Sequence, residues 1–192
     1  MKSFHLKEKL LLLRLKKKDP EAFAQLYDLY MTPIYRFIYF KVPSQQDAED
    51  LTSEVFLKIW QYATQKDEEI ENLRALLYRM ARNLVIDFYR SRARQDWVSD
   101  EEAASKIPDT HQQKLLAQIE AKTELESLEG VMRQMKDEYR EVLLLRYIEE
   151  LSIGEIAGIL QKTKGSVRVQ LHRALKLSRE LLESHGKRPS DH

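Results

Sequence analysis

The chain has 192 residues, 43% hydrophobic and 33% charged, with 32 basic and 31 acidic side chains and a net charge of +1. That length predicts one ordinary domain or two small ones, and the hydrophobic share suffices for a core, which excludes wholesale disorder. The absence of Cys excludes a disulfide scaffold, a thiol nucleophile and Cys-based metal sites, and aliphatic runs of only four residues (10–13 and 142–145) predict neither membrane insertion nor a signal peptide, hence a cytoplasmic protein.

Only five Gly and five Pro punctuate the chain, and strand-like alternation is weak, so the elements read as helices. Residues 1–18 form a basic N-terminal arm, seven Lys or Arg against Glu8. Asp19-Pro20 is an N-cap followed by proline at the first helical position, and Phe23, Leu26, Tyr27 and Tyr30 follow on one face. Thr32-Pro33 predicts a fresh start, with Ile34, Phe37 and Ile38 behind it. Pro43-Ser44 breaks the chain again, and Ser44 with Asp47 resembles a capping box for a helix carrying Ala48, Leu51, Val55 and Ile59 inward. Residues 64–71 read as a polar loop, and 72–89 as a helix with Leu73, Leu77, Met80, Leu84 and Phe88 on one side.

Periodicity lapses from about residue 91 through an acidic stretch containing Pro108, so 95–122 is expected to be a linker. Apolar periodicity returns at 112–128 and 137–148. Ser152 and Glu155 form a second capping box, opening a short helix with Ile153, Ile156, Ile159 and Leu160. Residues 160–163 make the turn, and Thr163 caps a last helix bearing Val167, Leu171, Leu175 and Leu182. The expected fold is all-α: two small helical domains, 19–94 and 123–183, an acidic linker, and a tail from 184 to 192.

A net charge of +1 speaks against a nucleic-acid partner only until its distribution is seen. Residues 44–71 hold eight acids against two bases, 72–94 hold six Arg against Asp87, and 161–179 hold six bases and no acid. Blocks of one sign create local fields that the total conceals.

The last two helices read as a helix-turn-helix with a basic outer face. Lys164, Arg168, His172, Lys176 and Arg179 recur every three or four residues opposite Val167, Leu171 and Leu175, with Arg173 beside them. Arg can pair with guanine edges, and Lys164 or Ser166 with phosphates. Gly165 stands where a side chain would crowd a neighbour or a phosphate. A helical hairpin with a merely solvated basic face is the plainer alternative. The 72–89 helix sets Arg79, Arg82, Asn83 and Arg90 on one side with Tyr78 and Tyr89 interleaved, a composition suited to a single strand, although a solvated face has the same look. Asp47, Glu49, Asp50 and Glu54 are close enough together in sequence to hold magnesium. No second carboxylate cluster, His pair, phosphate loop or nucleophile motif accompanies them. The acidic helix therefore reads as a docking surface for a basic partner, and neither enzyme activity nor a cofactor is expected.

Three motifs in order now resemble one family, the extracytoplasmic-function (ECF) RNA polymerase sigma factors of the sigma-70 family. Residues 47–60 resemble its core-binding helix, 77–87 its promoter-melting helix, and 139–147, 151–157 and 165–168 its C-terminal domain; the resemblance covers about 20–94 and 123–183. It implies a sigma-2-like four-helix domain and a sigma-4-like helix-turn-helix domain that direct core polymerase to promoter DNA. The implied partners are the largest-subunit clamp coiled coil and the flap of polymerase, promoter DNA, and an anti-sigma factor. By this resemblance Asp47, Glu49, Asp50, Glu54, Phe56, Lys58 and Trp60 meet core polymerase. Arg79, Arg82, Asn83 and Arg90 meet the −10 element, whose flipped base enters a pocket formed by Asn83 and the loop at about 65–73. Lys164, Ser166, Arg168, His172, Arg173 and Lys176 meet the −35 duplex. Departures from the family pattern are Leu76 for a usual Trp, the acidic Asp67, Glu68 and Glu69 in the base-binding loop, Met135-Lys136 for a usual Leu-Pro, and Val169-Gln170 where polar or basic residues are common. Two other readings stand beside it: a helix-turn-helix regulator acting without polymerase, which leaves 47–60 unexplained, and a helical adaptor, which leaves the basic 161–179 block without a partner.

Overall fold

The computed structural model describes residues 2–65, 70–96, 130–132 and 134–186. The expected linker beyond Asp96, the expected 112–128 helix, Trp97, and Asp67, Glu68 and Glu69 of the base-binding loop lie outside the described residues. The chain divides into two compact units, Met1–Ile107 and Pro108–His192.

The first unit packs four helices: α1 (Lys2–Lys16), α2 (Pro20–Tyr39), α3 (Gln45–Gln65) and α4 (Leu73–Asp96). Residues expected to form a basic arm are instead mostly helix α1, packed on α2 and α3. Leu11, Leu12 and Leu15 are buried, each such burial contributing about 1.5–3 kcal/mol. Beside them buried Glu8 accepts a hydrogen bond from the Tyr30 hydroxyl of α2. The turn into α2 places Lys18 in the left-handed region, φ 59°. Arg14 Nε reaches Asp19 Oδ2 at 2.7 Å, and Asp19 Oδ1 accepts from the Glu21 N–H at 2.9 Å, so one carboxylate ties α1 to the cap of α2. The Arg14 hydrogen bond holds the Asp19 carboxyl below its ordinary range.

Helix α2 also departs from expectation: Thr32-Pro33 does not begin a new helix, because Pro33 lies inside a continuous one. A mid-helix proline forfeits one hydrogen bond and strains the turn before it. Burial of Ala22, Leu26, Tyr30, Ile34, Phe37 and Ile38 at intervals of three and four residues across that point carries the helix through.

Ser44 caps α3, accepting from the Asp47 N–H at 3.1 Å. The hydroxyl also donates to the Asp47 carboxylate at 2.5 Å, so the acid bonds the capping side chain rather than the backbone, and the motif is half a capping box. Asn72 caps α4, its Oδ1 accepting from the Ala75 N–H at 2.8 Å. Helix α4 continues to Asp96, past the expected end at 89. Aromatic pairs join the layers: Phe23 on Trp60 at 5.2 Å, Tyr27 on Phe56 at 4.7 Å, and Phe37 on Tyr78 at 5.4 Å.

In the second unit, α5 (Asp137–Leu143) runs into a π-helical turn, Leu144–Ile148, followed by α6 (Ile153–Leu160) and α7 (Lys164–Gly186). Helix α5 starts after Met135-Lys136, where no side chain caps it; the Arg140 Nη2 instead donates to the Met135 carbonyl at 3.1 Å. Ser152 and Glu155 form the full reciprocal box, at 3.2 and 2.9 Å. Gln161, φ 54°, closes α6 in the left-handed conformation that lets the chain turn sharply into α7. Thr163 Oγ1 accepts from the Ser166 N–H at 3.1 Å and caps α7. Val167, Gln170, Leu171 and Ala174 are the buried face of α7; Leu175 is half-buried, and Leu182, expected inward, is exposed.

Candidate functional site

Three helix surfaces carry the residues singled out from the sequence. On α3, burial of Ala48, Leu51, Val55 and Ile59 turns Asp50 and Glu54 to solvent. Each acid has a helical neighbour: Gln45 donates to Glu49 at 2.7 Å, Gln46 to Asp50 at 3.0 Å, and Lys58 pairs with Glu54 at 3.3 Å. Asp47 is half-buried, committed to the Ser44 cap and 3.9 Å from Arg92 of α4. Burial, and next the Glu49 carboxylate, push the Tyr35 phenol above its usual range. Asp50 and Glu54 thus share the outward face with Asp47 at its edge, while Glu49 points to another side, and among the described residues no three His, Asp or Glu gather as metal ligands.

One aromatic expectation on α3 needs correction. Phe56 is only 2% exposed and lies against Tyr27, so it holds the helix in place and offers no surface. Trp60 is half-buried under Phe23, leaving one part available. Leu57, which periodicity had not singled out, is 55% exposed. It stands seven residues after Asp50 and four before Gln61, on the same outward line. The signal was present: once Val55, Phe56 and Ile59 face inward, Leu57 must face out.

On α4, exposed Asn83 and Arg90 share one side with half-buried Arg79 and Ile86, and half-buried Arg82 flanks them. Arg90 pairs with Asp87 at 3.5 Å. The Nε of Arg79 is buried with no hydrogen-bond partner. Tyr78, read as interleaved with the cations, is fully buried against Phe37 and cannot stack on a base. Tyr89 is 48% exposed and donates to the Lys41 carbonyl at 2.7 Å, which fixes the ring at the surface. Arg92 lies 5.3 Å from the Phe88 ring. Leu76, where the resemblance expects Trp, is half-buried.

On α7, Lys164, Gly165, Ser166, Arg168, Val169, His172, Arg173 and Lys176 are all exposed. Lys176 is 3.9 Å from Glu180, a weak surface pairing that leaves most of the cationic face unbalanced. The buried Gln170 is structural: its Nε2 donates to the Glu138 carbonyl at 2.6 Å, and its Oε1 accepts from Lys162 Nζ at 2.8 Å. These bonds clamp the turn and α5 to α7, so the outer face is presented on a rigid base. A Cβ built on Gly165 meets only Thr163 Oγ1, at 3.9 Å, so no protein neighbour is crowded there. A helix displaying cations along one face, preceded by a short capped helix and a tight turn, has the dimensions and charge to enter a major groove.

Comparison with known proteins agrees with this geometry. Residues 26–95 match the model for sigma-70 region 2, and 125–177 that for sigma-70 region 4. The chain is 31% identical over 176 residues to the ECF RNA polymerase sigma factor SigW of Bacillus subtilis, covering 88% of this chain and 93% of that protein. It is 30% identical over 150 residues to SigM, an ECF RNA polymerase sigma factor of the same organism, covering 78% and 88%. The solved structure of the sigma factor RpoE in complex with the anti-sigma factor NepR from Bartonella quintana shares the fold, with a TM-score of 0.66, 23% identity, and 84% of this chain and 96% of that one covered. Helices, caps and both matched regions converge on one conclusion: the chain belongs to the ECF RNA polymerase sigma factors of the sigma-70 family.

Proposed function

We propose that this chain directs bacterial RNA polymerase to specific promoters and starts transcription there, in the cytoplasm, without catalysing a reaction itself. One observation carries the reading: a single chain holds both a helix with an outward acidic and leucine face and a capped recognition helix with an outward cationic face. The first suits a basic protein surface, the second a phosphate backbone and base edges. Chemistry is supplied by polymerase; this subunit supplies address and melting.

In this reading Asp50, Glu49, Glu54, Lys58, Leu57 and the open part of Trp60 dock on the clamp coiled coil. Asp47 orients α3 through its cap. Arg79, Arg82, Asn83 and Arg90 follow the −10 strand, where capture of an unstacked base in a pocket repays the few kcal/mol of unstacking. Lys164, Ser166, Arg168, His172, Arg173 and Lys176 engage the −35 duplex, with Lys and Ser on phosphates and Arg on base edges. An anti-sigma partner belongs to the proposal, since the RpoE structure of this fold was captured with one. A regulator acting without polymerase leaves the outward face of α3 without a role.

Run-off transcription tests the reading. Purified chain plus core polymerase is expected to yield promoter-dependent transcripts from genomic fragments that core alone does not transcribe. A chain that neither binds core nor yields such a transcript refutes it.

A further inference from the structure

Recognition helix α7 carries one outward residue that charge does not explain. Val169 is 52% exposed in the second turn of the helix, surrounded by exposed Ser166, Arg168, His172 and Arg173. A β-branched side chain there lowers helix propensity and leaves about half of its surface in solvent, so packing within the protein accounts for only part of its presence. One turn earlier on the same outward line stands Gly165. Neither backbone nor packing demands glycine at that point: no glycine among the described residues has positive φ, and an added Cβ would meet only Thr163 Oγ1 at 3.9 Å. Glycine four residues before an exposed valine leaves a shallow apolar notch in the middle of a cationic face, open to something outside the protein.

We propose that this notch reads the 5-methyl group of a thymine in the −35 duplex, with Val169 packing on the methyl and Gly165 letting the base edge approach the helix. The proposal rests on the reading of α7 as the −35 recognition helix. Of the base edges in the major groove, only thymine presents an apolar group, and side chains without polar atoms meet it there. The flanking Arg168 and Arg173 can pair with guanine edges or phosphates and set the register of the helix. Neither can favour thymine over cytosine through a methyl contact. The notch thus adds a sequence preference that the cations cannot supply.

The test uses the full chain assembled with core polymerase and a promoter duplex obtained by selection from a random pool. Each thymine of the −35 element is replaced in turn by deoxyuridine, which removes only the methyl. One position is expected to lose about fourfold in affinity, the worth of one buried methyl-sized group. In Val169→Ala, a substitution the exposed helix tolerates, the same replacement is expected to cost less than half of that. Gly165→Ala is expected to weaken the selected duplex without lowering the melting temperature. Insensitivity to every replacement, full sensitivity in Val169→Ala, or unchanged affinity in Gly165→Ala overturns the proposal. Retained site-specific duplex binding in those cases leaves the −35 reading standing, whereas loss of any sequence preference in the unsubstituted chain overturns that reading as well.

Discussion

Phe56 and Leu57 are sequence neighbours with opposite environments, and that contrast yields a sharp prediction about the proposed polymerase face. Phe56 is 2% exposed with its ring centroid 4.7 Å from that of Tyr27; Leu57 is 55% exposed on the line of Asp50. Phe56→Leu removes a ring pair worth about 0.5–1.5 kcal/mol, and lost packing adds roughly 1 kcal/mol. A loss of about 2 kcal/mol lowers the melting temperature of a domain of this size by roughly 10 °C. Leu57→Ala removes no core contact and is expected to move melting by no more than about 0.5 kcal/mol. It gives up apolar surface available to a partner, and burial of half a leucine is worth about 1 kcal/mol, or roughly fivefold in Kd. Melting is read by tryptophan fluorescence, since Trp60 and Trp97 both precede residue 108 and the second unit is silent. Affinity for core polymerase is measured at a temperature where both variants are folded. If Phe56→Leu weakens core binding without lowering the melting temperature, while Leu57→Ala leaves binding intact, the inward and outward assignments on α3 are refuted.

Arg168→Ala is expected to weaken −35 duplex binding while sparing affinity for core; Asp50→Lys is expected to do the reverse, and filter binding with a core pull-down separates them. In the second unit, Ser152→Ala removes the hydroxyl half of the capping box, leaving the backbone N–H of residue 152 to the Glu155 carboxylate, and is expected to cost about 1 kcal/mol. Gln161→Gly relieves a left-handed residue and is expected to gain up to about 1 kcal/mol; equal shifts in urea midpoint for the two would contradict the turn geometry. Because Arg14 lowers the Asp19 carboxyl, that carboxylate stabilises the fold above its unfolded value of 3.8 and the contribution fades as pH falls through the lowered folded value. Asp19→Asn keeps a capping side chain but loses this dependence, so its acid melting curve is expected to be flatter than that of the parent below pH 3.8.

The features legible in the sequence were those whose physics is local. Asp19-Pro20, Ser152 with Glu155, and Thr163 each satisfy backbone donors within three residues, so residue type and spacing suffice. The features missed depend on distant partners. Glu8 in α1 meets Tyr30, 22 residues on, and the lysines of 1–18 masked the leucines that fold it back. Thr32-Pro33 carries a local start signal that tertiary burial overrides. Gln170 stands out in the sequence only as a departure from the family pattern, and its structural role depends on a bond to the Glu138 carbonyl, 32 residues upstream. Tyr78 was placed among cations by sequence proximity, while the phase of α4 turns it into the core. The outward placement of Leu57 and Val169 follows from helical phase alone, although an apolar residue beside an apolar stripe is ordinarily assigned to it.

The ion pairs of α3 alter how strongly its acidic face acts at a distance. Four carboxylates stand within eight residues, but Glu54 faces Lys58 at 3.3 Å and Asp47 faces Arg92 at 3.9 Å. A charge beside its opposite fades into a dipole within a few ångströms, so Glu49 and Asp50 dominate the field felt by an approaching partner. The cations of α7 are offset mainly at Lys176. Raising the ionic strength should therefore strip DNA from this protein well before it strips polymerase, so that the subunit stays docked while the holoenzyme is released from promoters.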